Sequence, residues 1–232
     1  MKIKSLYFIL LSLLVSINSI SQNNERKFKI HTLAFYNLEN LFDTINDTNK
    51  NDEASPIMEI KYNRGKIYKK KISNMARVIS EIGYDVTNRP PTIIGICEVE
   101  NRKVVEDLIA NEKLSNHNYG IVHYDSPDRR GIDVGLLYNK DIFEILNSNS
   151  HELYITYNNT NDRSYTRDQL VVSGKLDGEL IHLIVNHWPS RGADETKRIA
   201  AAEVNNSIID SLRRIYKNPK IITMGDFNDD PF

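Results

Sequence analysis

Between residues 66 and 82 apolar side chains return every three or four positions, at Tyr68, Ile72, Met75, Ile79 and Ile82. That is the period of one helical face, and Gly83 ends it. A second run of this kind covers about Asp194–Tyr216, with Ile199, Ala202, Ile208, Leu212 and Ile215 on its stripe and Pro219 just beyond. A shorter helix is expected near Lys103–Ala110. Strands are expected at Thr32–Leu38, Thr92–Cys97, Tyr119–Tyr124, Ile132–Tyr138 and Ile221–Met224. The runs at 92–97 and 221–224 are mostly apolar, without polar alternation, as in strands buried on both faces. Gln169–Leu176 and Leu180–His187 flank Asp177-Gly178, a dipeptide that accepts the positive φ angles of a two-residue hairpin turn. The polar stretch Asn46–Ser55 reads as a surface loop.

Helices near both ends of a strand-rich middle place the chain in the α/β (α+β) class. The expected architecture is a mixed sheet, or two packed sheets, covered by helices. An all-parallel doubly wound sheet has no place for the hairpin. No repeat, low-complexity block or linker divides residues 22–232, which read as one domain.

The first residues follow a different pattern. Lys2 and Lys4 precede twelve residues, Leu6–Ile17, that are apolar except for Ser12 and Ser16. A spanning helix needs ~20 such residues, so this is the core of a signal peptide, residues 1–21. Ser19 and Ser21 are the small residues expected before cleavage at Gln22. The expected localisation is secreted or periplasmic, with no stable membrane insertion after cleavage.

Composition narrows the chemistry. The 232 residues are 40% hydrophobic and 26% charged, enough for a sizeable core and unlike a fibrous or disordered chain. A single cysteine excludes an intrachain disulfide framework and a multi-cysteine zinc site. A formal net charge of −1 gives no basic field to hold nucleic acid by attraction alone. A bound phosphate ester therefore calls for a metal ion.

Candidate chemistry collects at strand ends. Asn37 and Glu39 follow the first strand, Glu98 follows Ile93–Cys97, and Asp226 and Asn228 follow Ile221–Met224. A fourth strand ends in Asn186-His187-Trp188-Pro189-Ser190-Arg191. Strand ends are rigid platforms on which such groups can converge. Carboxylates and amides suit a hard cation such as magnesium, manganese or calcium rather than zinc. Each piece also has a plain structural explanation: a solvated strand end at Glu98, an Asx turn at Gly-Asp-Phe-Asn, a structural histidine at His187 as at His182, a solvated pair at Arg129-Arg130. Cys97, between isoleucine and glutamate, reads as a core residue.

Together these pieces resemble a family. Asn37-Leu38-Glu39-Asn40-Leu41-Phe42-Asp43, Ile96-Cys97-Glu98-Val99-Glu100-Asn101, Arg130-Gly131-Ile132-Asp133-Val134-Gly135-Leu136-Leu137-Tyr138, Asn186-His187-Trp188-Pro189-Ser190-Arg191 and Gly225-Asp226-Phe227-Asn228-Asp229-Asp230-Pro231 occur in order. They resemble the endonuclease/exonuclease/phosphatase superfamily, the deoxyribonuclease-I-like fold. The resemblance implies a four-layer sandwich of two packed mixed β-sheets flanked by helices. It also implies a divalent-metal hydrolase of phosphate esters, with Mg2+ first and Mn2+ or Ca2+ as alternatives, acting through water. On matching positions, Glu98 is the metal-binding glutamate, with Asn37 and Glu39 supporting the metal. Asp226 orients or deprotonates the water, Asn228 contacts the phosphate, and His187 faces the phosphate and leaving group. Arg130 and Arg191 correspond to substrate contacts.

One departure stands out. The family continues into further strands that carry an acid and then a terminal Asp-His pair, whereas this sequence stops at Asp230-Pro231-Phe232. The expectation is a chain lacking the last strands of the family, and weak or absent activity. Three functions remain open: a secreted endonuclease or phosphodiesterase acting on nucleic acid, a phosphatase or phosphodiesterase for a small molecule or lipid headgroup, and a non-catalytic remnant. A basic groove with exposed aromatic residues favours the polymer; a closed small pocket favours the small molecule.

Overall fold

The computed structural model describes residues 28–157, 160 and 162–230. The chain divides into an N-terminal unit, Met1–Ile30, and a folded unit, His31–Phe232. The expected signal segment lies outside the described residues. In the folded unit, β1 (Leu33–Leu41) leads through α1 (Pro56–Glu59) into α2 (Arg64–Glu81), α3 (Tyr84–Thr87) and β2 (Ile93–Val99). Then come α4 (Arg102–Ile109), β3 (Tyr119–His123), β4 (Asp133–Asn139) and β5 (Phe143–His151). A two-residue pair, β6 (Ile155–Thr156) and β7 (Arg163–Ser164), precedes β8 (Gln169–Leu176), β9 (Glu179–His187), α5 (Glu195–Ile215) and β10 (Lys220–Asp226).

Two four-stranded mixed sheets result. One has the order β1-β2-β4-β3 and the other β10-β9-β8-β5. In each, a parallel pair at one edge (β1 with β2, β10 with β9) continues into antiparallel neighbours. Both parallel pairs are joined through helices, as parallel connections require. The sheets face each other through Ile93, Cys97, Val134 and Leu136 on one side and Phe143, Val172, Leu183 and Val185 on the other. The outer face of the first sheet buries Ile94, Ile96 and Leu137 against Ile72, Met75 and Ile79 of α2 and Val104 and Leu108 of α4. The second sheet packs Val171 and Ile184 against Ile208 and Leu212 of α5. This is the expected four-layer sandwich. It also explains the unbroken apolar run of β2, whose alternate residues enter two different cores.

Three expectations need correction. The strand at 221–224 is not buried on both faces: β10 is an edge strand, and Ile222 is 38% exposed. The stripe of α5 that meets the sheet is Ala201, Asn205, Ile208 and Leu212, while Ile199 and Ile215 face solvent at 50% and 71% exposure. Ile199 stands about half a turn around the helix from Ile208, and the N-terminal end packs through Ala200 and Ala201 against Leu153, Ile155 and Trp188. The polar segment 46–55 is not all surface, because Asp52 and Ser55 are buried and the Asp52 carboxylate accepts from the Asp47 amide at 2.8 Å. Strand β5 has no counterpart in the sequence reading. It is a solvated edge strand, Phe-Glu-Ile-Leu-Asn-Ser-Asn-Ser-His, whose polar residues break the alternation.

Two positions tie this frame to the chemistry described below. A Cβ on Gly225 would lie 2.3 Å from the backbone oxygen of Asn186, so only glycine lets β10 lie this close to β9. Glu100, just past β2, is 2% exposed and accepts from the Asp43 amide at 2.6 Å, fastening the exit of β1 to that of β2. Burial first, then the neighbouring Asp43 and Asp52, push the Glu100 carboxyl up to about 7.

Gly225→Ala is expected to cost about 1–3 kcal/mol, the range for overpacking, read as a lowered urea midpoint; an unchanged midpoint would contradict the packing. For Glu100, the folded chain holds a proton that the unfolded chain has released between the ordinary value, 4.5, and about 7. Stability therefore falls as pH rises through that window. Glu100→Gln keeps the acceptor oxygen without the charge. It should unfold at higher urea than wild type at pH 8, by a gap that shrinks at pH 5, whereas a gap independent of pH would sink the assignment.

Candidate active site

Both parallel pairs end at the same rim of the sandwich. At Gly95 a Cβ would meet Met224 Sδ at 2.7 Å and Phe35 at 3.2 Å, so the missing side chain lets β2 and β10 approach across the two sheets. Beyond this crossing the strands lose their regular period. The register of β1 slips between Asn37 and Leu41, and that of β2 between Cys97 and Val99. Glu39, Asn40 and Glu98 take left-handed backbone angles, with φ of 49°, 56° and 58°. Such angles are costly for non-glycine residues and persist only where the surroundings enforce them. The bulge at Glu98 sends Cys97 into the core between the sheets and Val99 into the core under the helices. The Glu98 carboxylate is thereby turned toward the rim.

Four of the expected residues meet there. Asn37 Nδ2 donates to Glu98 Oε1 at 3.3 Å and to Asp226 Oδ2 at 3.1 Å. Its own oxygen accepts from the Glu39 amide at 2.8 Å, which fixes the orientation of the carboxamide. Glu98 Oε2 accepts from the Asn40 amide at 2.8 Å. His187 Nε2 stands 3.7 Å from Glu98 Oε1. Burial, then Arg167 and Arg130, hold the His187 imidazole down at about 2, so it is neutral at physiological pH. Its Nδ1 is buried without a hydrogen-bond partner.

The remaining expected residues take other places. Asn228 has φ of 50°; its amide donates to Asp226 Oδ1 at 3.0 Å and its Nδ2 to the Trp188 carbonyl at 3.0 Å. It therefore sets the Asp226 turn, as the plain turn reading held, while lying beside the cluster. Glu39 lies outside the cluster: it is exposed, and its carbonyl accepts from Lys71 of α2, which also bonds the Asn40 carbonyl at 3.0 Å. Arg191 pairs with Asp230 at 2.8 Å on the open surface. Arg130 is half exposed, 3.9 Å from Asp128. Its loop is pinned by buried Asp133, which accepts from Ser126 N and Oγ at 2.8 and 2.6 Å and contacts His123 Nε2 at 3.1 Å. His123, Asp133 and exposed Asp125 bring potential ligand atoms within 4.8 Å of one another, although the Asp133 oxygens are already engaged.

Arg167 escaped the sequence reading. It is buried, donates to Asp128 Oδ2 at 3.1 Å and to the Trp188 carbonyl at 2.6 Å, and supplies positive charge beside His187. Its setting, Tyr165-Thr166-Arg167-Asp168, looks like any solvated linker. The platform under His187 is a buried amide network. Asn186 Nδ2 donates to Thr223 Oγ1 at 3.0 Å, its oxygen accepts from Trp188 Nε1 at 3.1 Å and from Asn205 Nδ2 of α5 at 3.2 Å, and Gln169 Nε2 reaches the Ala201 carbonyl. Every distance here is a sound hydrogen bond.

The donor set fits a hard divalent cation. Glu98 and Asp226 offer carboxylate oxygens, Glu98 remains partly open to solvent, and the Cys97 thiol is buried away from the rim with its pKa pushed up by burial. Oxygen ligands with no thiolate match magnesium or manganese.

Comparison with solved structures finds the same fold at low identity. Bacteroides thetaiotaomicron mannosyl-6-phosphatase matches with a TM-score of 0.57 at 20% identity, over 87% of this chain and 66% of that one. Humanized D. rerio TDP2 matches at 0.51 and 15%, over 85% and 62%, and ANGEL2, a 2',3'-cyclic phosphatase, at 0.51 and 17%, over 68% and 43%. The chain thus spans less than two thirds of each of these proteins. No curated protein matches it in sequence. The endonuclease/exonuclease/phosphatase family matches residues 32–232, which include all four residues of the cluster, and the chain belongs to that family.

Proposed function

We propose that this protein is a divalent-metal-dependent hydrolase of phosphate esters, exported from the cell, with nucleic acid as its leading substrate. The observation that carries the reading is the meeting of Asn37 and Glu98 from one sheet with His187 and Asp226 from the other. Family membership supports the reaction class.

Glu98 is the residue to hold the metal, with Asp226 close by. When bound, the ion supplies positive charge to a phosphoryl oxygen and to the leaving oxygen. The chain's own groups do the rest. Asp226, held by the Asn37 amide and the Asn228 backbone, orients a water and takes its proton. His187, neutral and walled from bulk water, presents an N–H to the phosphoryl oxygens with no barrier of prior deprotonation. Arg130, half exposed at the rim, can grip a phosphate oxygen pair bidentately. Arg191, paired with Asp230 on the open surface, is a peripheral substrate contact. Glu39 supports the metal site through the backbone turn rather than by its carboxylate.

A second reading, a phosphatase for a small phosphate ester, rests on the likeness to mannosyl-6-phosphatase. Hydrolysis of plasmid DNA and bis-nitrophenyl phosphate, set against mannose 6-phosphate, separates the two.

With magnesium, turnover should vanish on chelation. Asp226→Ala is expected to lower kcat by about 10²–10⁴-fold, the range for losing a general base, and Glu98→Gln to weaken magnesium binding by calorimetry. Equal turnover by wild type and Asp226→Ala, or equal metal binding by wild type and Glu98→Gln, would defeat the proposal. For export, the protein recovered from a secreted or periplasmic fraction should begin near Gln22; a sequence still starting at Met1 would refute cleavage.

A further inference from the structure

Next to the catalytic cluster lies an open cavity of about 220 Å³ whose walls include Arg130, Tyr165, Thr166, Arg167, Ser190 and Lys197. It adjoins the cluster directly: the Trp188 carbonyl accepts both from Arg167 Nη2, on the cavity wall, and from Asn228 Nδ2, beside Asp226. The wall carries three cations and no carboxylate of its own; Asp128, behind it, is engaged by Arg167 at 3.1 Å. Arg130 is 3.9 Å from the same carboxylate, and Lys197 Nζ is held by Ser164 Oγ at 2.9 Å and by the face of Tyr157 at 4.3 Å.

Two polar groups of this wall are buried with nothing to bond. Thr166 is 4% exposed and its hydroxyl has no partner, and Arg167 is 7% exposed with its Nε–H unused. A buried donor or acceptor left without a partner forfeits its hydration with nothing in return. Native structures rarely leave such groups unpaired without a reason such as an absent ligand. Excess positive charge together with idle donors calls for a compact anion rich in acceptor oxygens. The rim adds rigidity: Tyr165 is flanked by Arg163 at 4.8 Å and Arg129 at 5.6 Å, so its ring is held in place by cations.

We propose that this cavity is a second phosphate subsite, which binds a phosphoryl group neighbouring the one at the catalytic cluster and so selects substrates that carry at least two phosphates. The proposal rests on the phosphate-ester reading of the catalytic cluster. The second phosphate comes either from the next linkage of a nucleic-acid strand or from a bisphosphorylated small molecule; the chemistry recognised is the same.

The test is equilibrium binding with magnesium, in an Asp226→Asn background that holds substrates uncleaved. The probes are thymidylyl-thymidine with and without a 5'-phosphate, and fructose 1,6-bisphosphate against fructose 6-phosphate. In at least one pair the two-phosphate member should bind about tenfold tighter, as one charge-assisted contact provides. Thr166→Val, nearly isosteric, and Lys197→Gln, on the open side of the cavity, should each reduce that preference to within about twofold. A preference in the dinucleotide pair identifies a strand, and one in the sugar pair a small molecule. Equal binding within both pairs, or a preference that survives both substitutions, overturns the subsite. Because binding is read without turnover, a failure of catalysis shows separately, as absent hydrolysis of bis-nitrophenyl phosphate by the wild type.

Discussion

Two carboxylates from different sheets, Glu98 and Asp226, share one amide, and the rim of the sandwich is organised around that sharing. The shared donor reaches Glu98 Oε1 at 3.3 Å and Asp226 Oδ2 at 3.1 Å. Asn37 supplies the donor from a carboxamide that the Glu39 amide orients, beside a backbone turn whose Asn40 carbonyl Lys71 braces from outside. The left-handed angles at Glu39, Asn40 and Glu98 are the cost of presenting these groups, and the packing of β2 between two cores holds that cost in place.

The electrostatic design around His187 follows from the same rim. The ring is buried, faced by Glu98 on one side and by the fields of Arg167 and Arg130 on the other, and desolvation dominates. The imidazole therefore stays neutral although Glu98 Oε1 lies only 3.7 Å from its Nε2. Arg167 is central here, because one guanidinium neutralises Asp128, fixes the Trp188 carbonyl and biases His187.

Much of this was legible in the sequence, for physical reasons that differ by residue. Asn37, Glu98, His187 and Asp226 stand at the ends of apolar strands, and strand ends are where a rigid frame delivers polar groups. The hairpin at Asp177-Gly178 was visible because both residues must adopt positive φ, as they do at 48° and 89°. What escaped depended on long-range contact. Arg167 is buried only because Asp128, 39 positions away, and the Trp188 carbonyl come to meet it. Glu39 looked like part of the site because it sits two residues from Asn37, and a bulge turned it away. The stripe of α5 misled because Ile199 falls on the face opposite Ile208, about 180° around the helix, and Ile215 lies beyond the last buried residue, Leu212. Polar Asn205 is buried in the true stripe, where it holds Asn186.

The shared amide also sets when the cluster is complete. Asn37 and Asp226 are separated by 189 positions, whereas Asn37 and Glu98 are separated by 61. Contacts that close so much chain form late, since the entropy of loop closure comes before any reward. A chain with only its first sheet in place has a single acid at the rim and neither imidazole nor the second carboxylate. The complete cluster thus exists only once that last long-range closure has formed.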